Sequence, residues 1–101
     1  MKVAIPLFDN RVSPHFFTAP ELLLVQIDSR IVCSSWKISL ENLSPSKKKS
    51  RFLALGPDTL LCGGIDGETR RWFERKGVQV KDNQMGDAME ILDRYLNTPI
   101  T

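Results

Sequence analysis

The chain has 101 residues, of which 42% are hydrophobic and 26% charged, a composition typical of an ordinary globular domain and not of a disordered, collagen-like or disulfide-rich chain. Its 14 basic and 12 acidic side chains give a net charge of +2, which is too small to indicate nucleic-acid binding. Its two cysteines, Cys33 and Cys62, are expected to be free thiols in a reducing compartment. The longest apolar run, residues 22–25, is far shorter than the roughly 20 residues that cross a bilayer. We therefore expect one domain over residues 1–101, cytoplasmic, with neither a membrane nor a nucleic acid as partner.

The first half of the chain alternates β-prone runs with turn-forming residues. Residues 2–6 predict a strand that ends at Pro6, because proline has no N–H group to donate to a neighbouring strand. The loop that follows, up to Pro20, is longer than the about 4–6 residues of a common connection, which is typical of functional loops. Residues 22–27 and 31–38 then predict two antiparallel strands joined by a short turn.

The second half of the chain predicts helices that alternate with short strands. Ser44 and Asp66 stand where helix N-caps are expected, and glycine or proline follows each helix. The predicted elements are a helix over 45–55, a strand over 59–62, a helix from Asp66 to Gly77, a strand over 78–80, and a last helix from Met85 with Pro99 just past its end. This order predicts an α/β sandwich with a mixed five-stranded sheet and about three helices, in two or three layers.

His15, the only histidine of the chain, lies in the long loop after the first predicted strand. Cys62 ends a later strand, and ligands of α/β sheets collect at the carboxyl ends of parallel strands, so we expect the two side chains to converge. Gly63 and Gly64 add backbone N–H groups near a helix N-terminus, where an anion is favoured. A structural zinc site or a self-contained cluster needs about four ligands, whereas this chain has one histidine and two cysteines. These groups are therefore suited to holding an anionic cluster or a phosphate only loosely.

Each of these residues also has a structural interpretation. His15 is equally compatible with a hydrogen bond to backbone, and Cys62 with core packing, because free cysteine is among the most buried residue types. Gly63 and Gly64 are also typical of a plain turn. The chain shows no nucleophile elbow and no serine–histidine–acid signature, so we expect no enzyme activity.

Six short segments form a recognisable pattern over nearly the whole chain: MKVAIP at 1–6, RVSPHF at 11–16, AP at 19–20, LV at 24–25, CGGI at 62–65 and GV at 77–78. This pattern resembles the dinitrogenase iron–molybdenum cofactor biosynthesis family. That family includes nitrogenase accessory proteins, cluster carriers and stand-alone members of the orange-protein type. The segment around His15 is its most specific part.

The resemblance implies a ribonuclease H-like fold without nuclease activity. It also implies a protein that binds or carries an iron–sulfur or molybdenum-containing cluster for metalloenzyme maturation, with a recipient metalloenzyme or an assembly protein as partner. His15 corresponds to the family's candidate cluster ligand. The resulting hypothesis has His15 and Cys62 as metal ligands, within a cofactor-binding set of Ser13, His15, Cys62, Gly63 and Gly64.

The sequence departs from the family's pattern at two places. Phe17 stands where the family usually has glycine, and residues 39–50 are shorter and richer in lysine than the corresponding loop of many members. Two other functions therefore stay open. One is a cofactor-free module of the same fold that binds or regulates a protein, and the other is a small phosphate- or nucleotide-binding protein that uses the Gly63–Gly64 turn.

Overall fold

A computed structural model describes residues 1–97 and shows a mixed β-sheet with helices on both faces. Its elements are β1 (Lys2–Phe8), β2 (Arg11–Val12), β3 (Glu21–Asp28), β4 (Ile31–Ser39), α1 (Pro45–Ala54), β5 (Thr59–Leu61), α2 (Gly67–Arg75), β6 (Gln79–Lys81) and α3 (Ala88–Asn97). The strand order is β4-β3-β1-β5-β6, and β2 pairs with β1 beside this path. β1, β5 and β6 run parallel, whereas β3 and β4 are antiparallel to their neighbours. The predicted mixed sheet and three helices are confirmed.

Strand β1 does not end at Pro6, so that prediction is wrong. Pro6 pairs with Leu22 of β3, and the carbonyl of Pro6 accepts a hydrogen bond of 2.8 Å from the Ser13 N–H group. The nitrogen and the carbonyl of one strand residue point to the same side, so the missing N–H of Pro6 faces away from β3. Proline therefore removes no hydrogen bond between β1 and β3, and the strand continues to Phe8.

The helices divide the core into two halves, one on each face of the sheet. On one face, Ile91 and Leu92 of α3 pack against alternate strand residues such as Val25. On the other face, Phe52 of α1 and Phe73 of α2 pack over the intervening strand residues. The fold is therefore the three-layer form of the sandwich, and its ribonuclease H-like assignment stays a prediction.

The predicted helix starts are accurate where a capping residue marks them. The side chain of Ser44 accepts from the Lys47 N–H group, and that of Asp66 accepts from the Thr69 N–H group. Helix α3, in contrast, begins at Ala88 and not at Met85, because the carboxylate of Asp87 accepts the N–H groups of its first turn. Pro99 lies outside the described residues. Within residues 1–97 no helix is long and apolar enough to cross a membrane.

Candidate functional site

A cleft of about 360 Å³ lies at the carboxyl ends of the three parallel strands. Its wall is formed by the end of β1, by Arg11 and Val12, by Pro14 with Gly63 and Gly64, and by residues 83–86. This is the edge of an α/β sheet where ligands bind in general. The cleft is therefore the first candidate for a functional site in this fold.

The two segments that the sequence predicts to converge are joined by a short parallel ladder at this edge. The Gly64 N–H group donates to the Pro14 carbonyl at 2.6 Å, and the Phe16 N–H group donates to the Gly64 carbonyl at 3.0 Å. These two bonds bridge His15 to Gly64. We call this arrangement of residues 13–16 on Gly63 and Gly64 the clamp, because it fixes the loop that carries His15.

Both glycines of the clamp are needed for a close approach of two backbones. A Cβ atom on Gly63 would lie 2.5 Å from the Ser13 carbonyl oxygen, and one on Gly64 would lie 2.9 Å from that of Pro14. The Gly64 N–H group is occupied by Pro14, and helix α2 begins only at Gly67. Gly64 therefore does not present a bare N–H group to an anion, contrary to the expectation from the sequence.

His15 is exposed at the rim of the clamp, and its imidazole lies over Gly64. A Cβ atom on Gly64 would be 3.3 Å from Cε1 and 3.4 Å from Nδ1 of the ring. Within residues 1–97 neither ring nitrogen has a hydrogen-bond partner. The alternative in which this imidazole bonds to backbone is therefore not what the structure shows.

Cys62 takes part in packing at the same strand end. Its side chain is fully buried among the residues that α1 and α2 cover. Burial raises the pKa of the thiol from its ordinary 9.0 to about 12, and the charge of Asp82 adds to the rise while Arg70 opposes it. Cys62 therefore lies in the core beneath the clamp, and its role as a metal ligand stays a prediction.

Ser13 holds the loop in place from inside. It is 1% exposed, and its hydroxyl donates to the His15 carbonyl at 3.0 Å. Its oxygen is thus used within the clamp and does not face a ligand. Of the five predicted residues, the structure leaves His15 as the one whose side-chain donor atoms are accessible.

The whole described chain matches one family model. The model of the dinitrogenase iron-molybdenum cofactor family covers residues 1–98. The chain belongs to the dinitrogenase iron–molybdenum cofactor family. A search of curated proteins gives no match.

Several solved structures share the fold of this family member. The crystal structure of PH0822 has 21% identity and a TM-score of 0.89, over 95% of this chain and 88% of that one. A crystal structure provisionally described as a dinitrogenase, from Methanocaldococcus jannaschii, has 23% identity and a TM-score of 0.79 over 95% and 88% of the two chains. An NMR structure provisionally described as a NifB protein, from Thermotoga, has 18% identity and a TM-score of 0.71 over 93% and 85%. At these identities the likeness establishes the fold alone.

Phe17, which stands where the family resemblance implies glycine, fits the loop without strain. Its backbone does not adopt a positive φ, so the position does not require glycine here. The ring packs edge-on to that of Phe16 at 5.1 Å, and its carbonyl accepts a hydrogen bond from the Lys48 ammonium group. The Phe17 ring therefore adds to the core that α1 and α2 cover, whereas the bond to Lys48 uses a backbone carbonyl that any residue at this position would supply.

Two parts of the cleft wall are not predicted from the sequence: the loop of residues 83–86 after β6, and the charged side chain of Arg11. Asn83 and Gln84 donate backbone N–H groups to the carbonyls of Gly63 and Cys62, both at 2.9 Å, which fixes the loop after β6 against the clamp. Arg11 is exposed at the cleft and, within residues 1–97, has no ion-pair partner. The loop after β6 could have been predicted from the sequence. Ligands collect at the ends of all the parallel strands, and Asp82 begins a polar turn after the last of them.

The described residues form no cluster of metal-ligating side chains. Across residues 1–97 no group of three or more histidine, cysteine, aspartate or glutamate side chains is placed to hold a metal ion.

Proposed function

We propose that this protein binds an anionic iron–sulfur or molybdenum-containing cluster at the clamp, next to the cleft that Gly64 lines, and carries it to a metalloenzyme or assembly protein during maturation. His15 is the protein ligand in this proposal. The single observation that carries it is the exposed imidazole, held over Gly64 by the clamp and without a hydrogen-bond partner in residues 1–97. Membership of the dinitrogenase iron–molybdenum cofactor family supports the class of cargo.

The electrostatics of the cleft favour an anionic ligand. Arg11 contributes a guanidinium group to the wall, and the carboxylate of Asp82 is paired with Arg70 at 3.0 Å. A sulfide-rich cluster carries negative charge, which an unpaired cation at an apolar wall attracts. Arg11 therefore assists binding without coordinating metal.

A single ligand suits delivery better than storage. Clusters that stay in a protein are usually held by about four cysteine or histidine ligands, whereas His15 is the one accessible candidate in the clamp. A cluster held by one imidazole keeps open positions that the thiolates of a recipient can occupy. Transfer then proceeds by ligand exchange, and the carrier needs no catalytic group.

Anaerobic loading of His15→Ala tests the proposal. The metal-free protein is incubated with ferrous iron and sulfide, or with tetrathiomolybdate, desalted, and analysed for metal per chain and for visible absorption. We expect the parent to retain a coloured cluster and His15→Ala to retain at least about tenfold less metal. Because His15 is exposed, its loss should change the free energy of unfolding by less than about 0.5 kcal/mol.

Two variants serve as controls in the same experiment. Thr18→Ala removes an exposed side chain of the same loop, whose hydroxyl donates to the His15 carbonyl at 3.4 Å, and Cys62→Ala removes the buried thiol. Both should load as the parent does. A His15→Ala protein that loads fully would refute His15 as the ligand, and loss of the cluster in a folded Cys62→Ala protein would instead identify the thiol.

A further inference from the structure

Strand β4 forms one edge of the sheet and is unusually open for an edge strand. It has nine residues, eight of which are exposed, including Ile31 at 66% and Trp36 at 48%. Natural edge strands are usually protected by short length, by charges or by proline. β4 contains no proline and one charged residue, Lys37.

A bulge interrupts only the first third of this strand. Gln26 of β3 pairs with Ser34, and the next residue, Ile27, pairs with Val32, so Cys33 is the extra residue of the bulge. From Ser34 to Ser39 the pairing with β3 is regular. The segment Ser34–Ser39 therefore presents a straight edge whose outer side has no partner strand within residues 1–97.

We propose that β4 pairs antiparallel with β4 of a second copy of this chain, about a two-fold axis at Trp36, so that the two sheets become continuous. Opposed residues of an antiparallel pair share one face of the sheet. A two-fold axis at Trp36 places opposed residues on the same face. It pairs residues 34–38 of the two copies, which lie clear of the bulge at Cys33. It sets the two Trp36 rings opposite each other and sets Ser35 opposite Lys37 of the second copy.

The charges around β4 are self-complementary in this arrangement, which is why the occupant is a second copy. Lys37, the one charge within the strand, meets a serine and not another lysine. Arg30 and Glu41 flank the two ends of β4, and both are exposed without an ion-pair partner in residues 1–97. Arg30 lies in the turn before β4, and Glu41 lies in the turn after it. An antiparallel pair therefore places the Arg30 end of each β4 next to the Glu41 end of the other.

Sedimentation equilibrium of the full chain over a wide concentration range tests the pairing. The parent should show a concentration-dependent doubling of mass, with a blue shift of tryptophan emission as Trp36 is covered. A mass that stays monomeric up to millimolar concentration would refute the proposal. Because Ser35 is exposed, substitutions there leave the folded monomer intact.

A matched pair of charge variants tests the register as well. Ser35→Lys sets lysine against Lys37 of the second copy at two symmetric places, whereas Ser35→Glu sets a carboxylate there. We expect the dimer dissociation constant to rise about tenfold for the first variant and to fall for the second. A common direction of change in both variants would contradict pairing centred on Trp36. The same variants do not touch the cleft, so cluster loading should be unchanged, which separates this proposal from that of the cluster site.

Discussion

His15 and Cys62 lie at the same edge of the sheet but in opposite environments. The imidazole of His15 is in solvent above Gly64, whereas the Cys62 thiol is enclosed by the aromatic core under α1 and α2. A thiol in an apolar site keeps its proton, and an exposed imidazole exchanges ligands freely. The clamp therefore places the two predicted ligands in opposite environments, with the imidazole accessible and the thiol enclosed.

The clamp separates these two environments and depends on both. From below, Phe16 packs against Phe52 and Phe73, with ring centroids 5.7 and 5.4 Å away. From above, the Phe16 N–H group bonds to Gly64. One residue thus couples the packing of the core to the placement of His15. Substitutions on either side of the clamp should break this coupling in different ways.

Phe16→Ala is expected to have the largest effect. It removes a fully buried ring and leaves a cavity, so the free energy of unfolding should fall by about 3–5 kcal/mol in urea denaturation. Cluster loading should fall as well, because the loop loses its anchor. Phe17→Ala, which removes a partly exposed ring, is the control with a smaller loss. Normal loading by a folded Phe16→Ala protein would show that the clamp does not need this anchor.

Gly63→Ala attacks the clamp through the backbone. Its Cβ atom would lie 2.5 Å from the Ser13 carbonyl oxygen, so the two segments must separate and the free energy of unfolding should fall by about 3 kcal/mol. Gly67→Ala is the matched control, because the nearest atom to its Cβ is the flexible end of Arg71. That variant should be stabilised by about 0.5 kcal/mol. Equal stabilities of the two variants, measured by thermal and urea unfolding, would contradict a tight contact.

The pH dependence of stability tests the burial of Cys62. Its pKa is raised from 9.0 to about 12 in the folded protein, so above pH 9 the unfolded chain loses this proton first. Stability therefore falls as pH rises, by about 1.4 kcal/mol per pH unit from this group between the two values. The difference in unfolding free energy between the parent and Cys62→Ala should shrink accordingly. Cys33→Ala, which removes an exposed thiol, should leave the pH slope unchanged.

The reactivity of the two thiols is a second test of the burial of Cys62. A thiol reagent should modify the exposed Cys33 quickly in the folded protein, whereas the buried Cys62 should react only as the chain unfolds. Two thiols that react at equal rates without denaturant would place Cys62 outside the core.

Periodicity and capping residues predict most of the fold, but they do not indicate which way a side chain faces. Ser44 and Asp66 mark true helix starts because their side chains bond to the first turns. The orientation of Cys62 is different, since all three residues of β5 before it are buried. A strand covered on both faces shows no alternation of apolar and polar residues, so its sequence does not reveal the side of the sheet.

The same limit explains the error at Pro6 and why β2, which lies in the segment predicted as a loop, is not predicted. Whether a proline interrupts a strand depends on which neighbour its nitrogen faces, and that is set by the long-range pairing with β3 and Ser13. A two-residue strand such as β2 is too short to show a period. The convergence of the His15 loop with the turn after β5 could be predicted, in contrast, because it follows from the general rule on parallel strand ends, although the side chains of His15 and Cys62 do not face each other.

The N-terminus of α2 offers the smallest and most specific test. The hydroxyl and N–H groups of Thr69 donate to the Asp66 carboxylate and lower its pKa below the ordinary 3.8. Asp66→Ala should therefore lower the free energy of unfolding by about 1 kcal/mol near neutral pH. Asp66→Asn, which keeps the capping oxygen, should lose less.

The charge of Asp66 also tests the alternative of a phosphate site at this turn. A carboxylate at a helix N-terminus already occupies the position that an anion would take.

The charged cap also makes stability depend on pH. Below pH 3.8 the Asp66 carboxylate binds a proton in the unfolded chain before it does so in the folded protein, so the stabilisation by the charged cap is lost as pH falls through the lowered folded pKa. The stability difference between the parent and Asp66→Asn should disappear in that range. The stability of the parent and of Asp66→Asn is then measured with and without millimolar phosphate at neutral pH. If phosphate stabilises the parent as much as it stabilises Asp66→Asn, this carboxylate does not exclude anions from the N-terminus of α2.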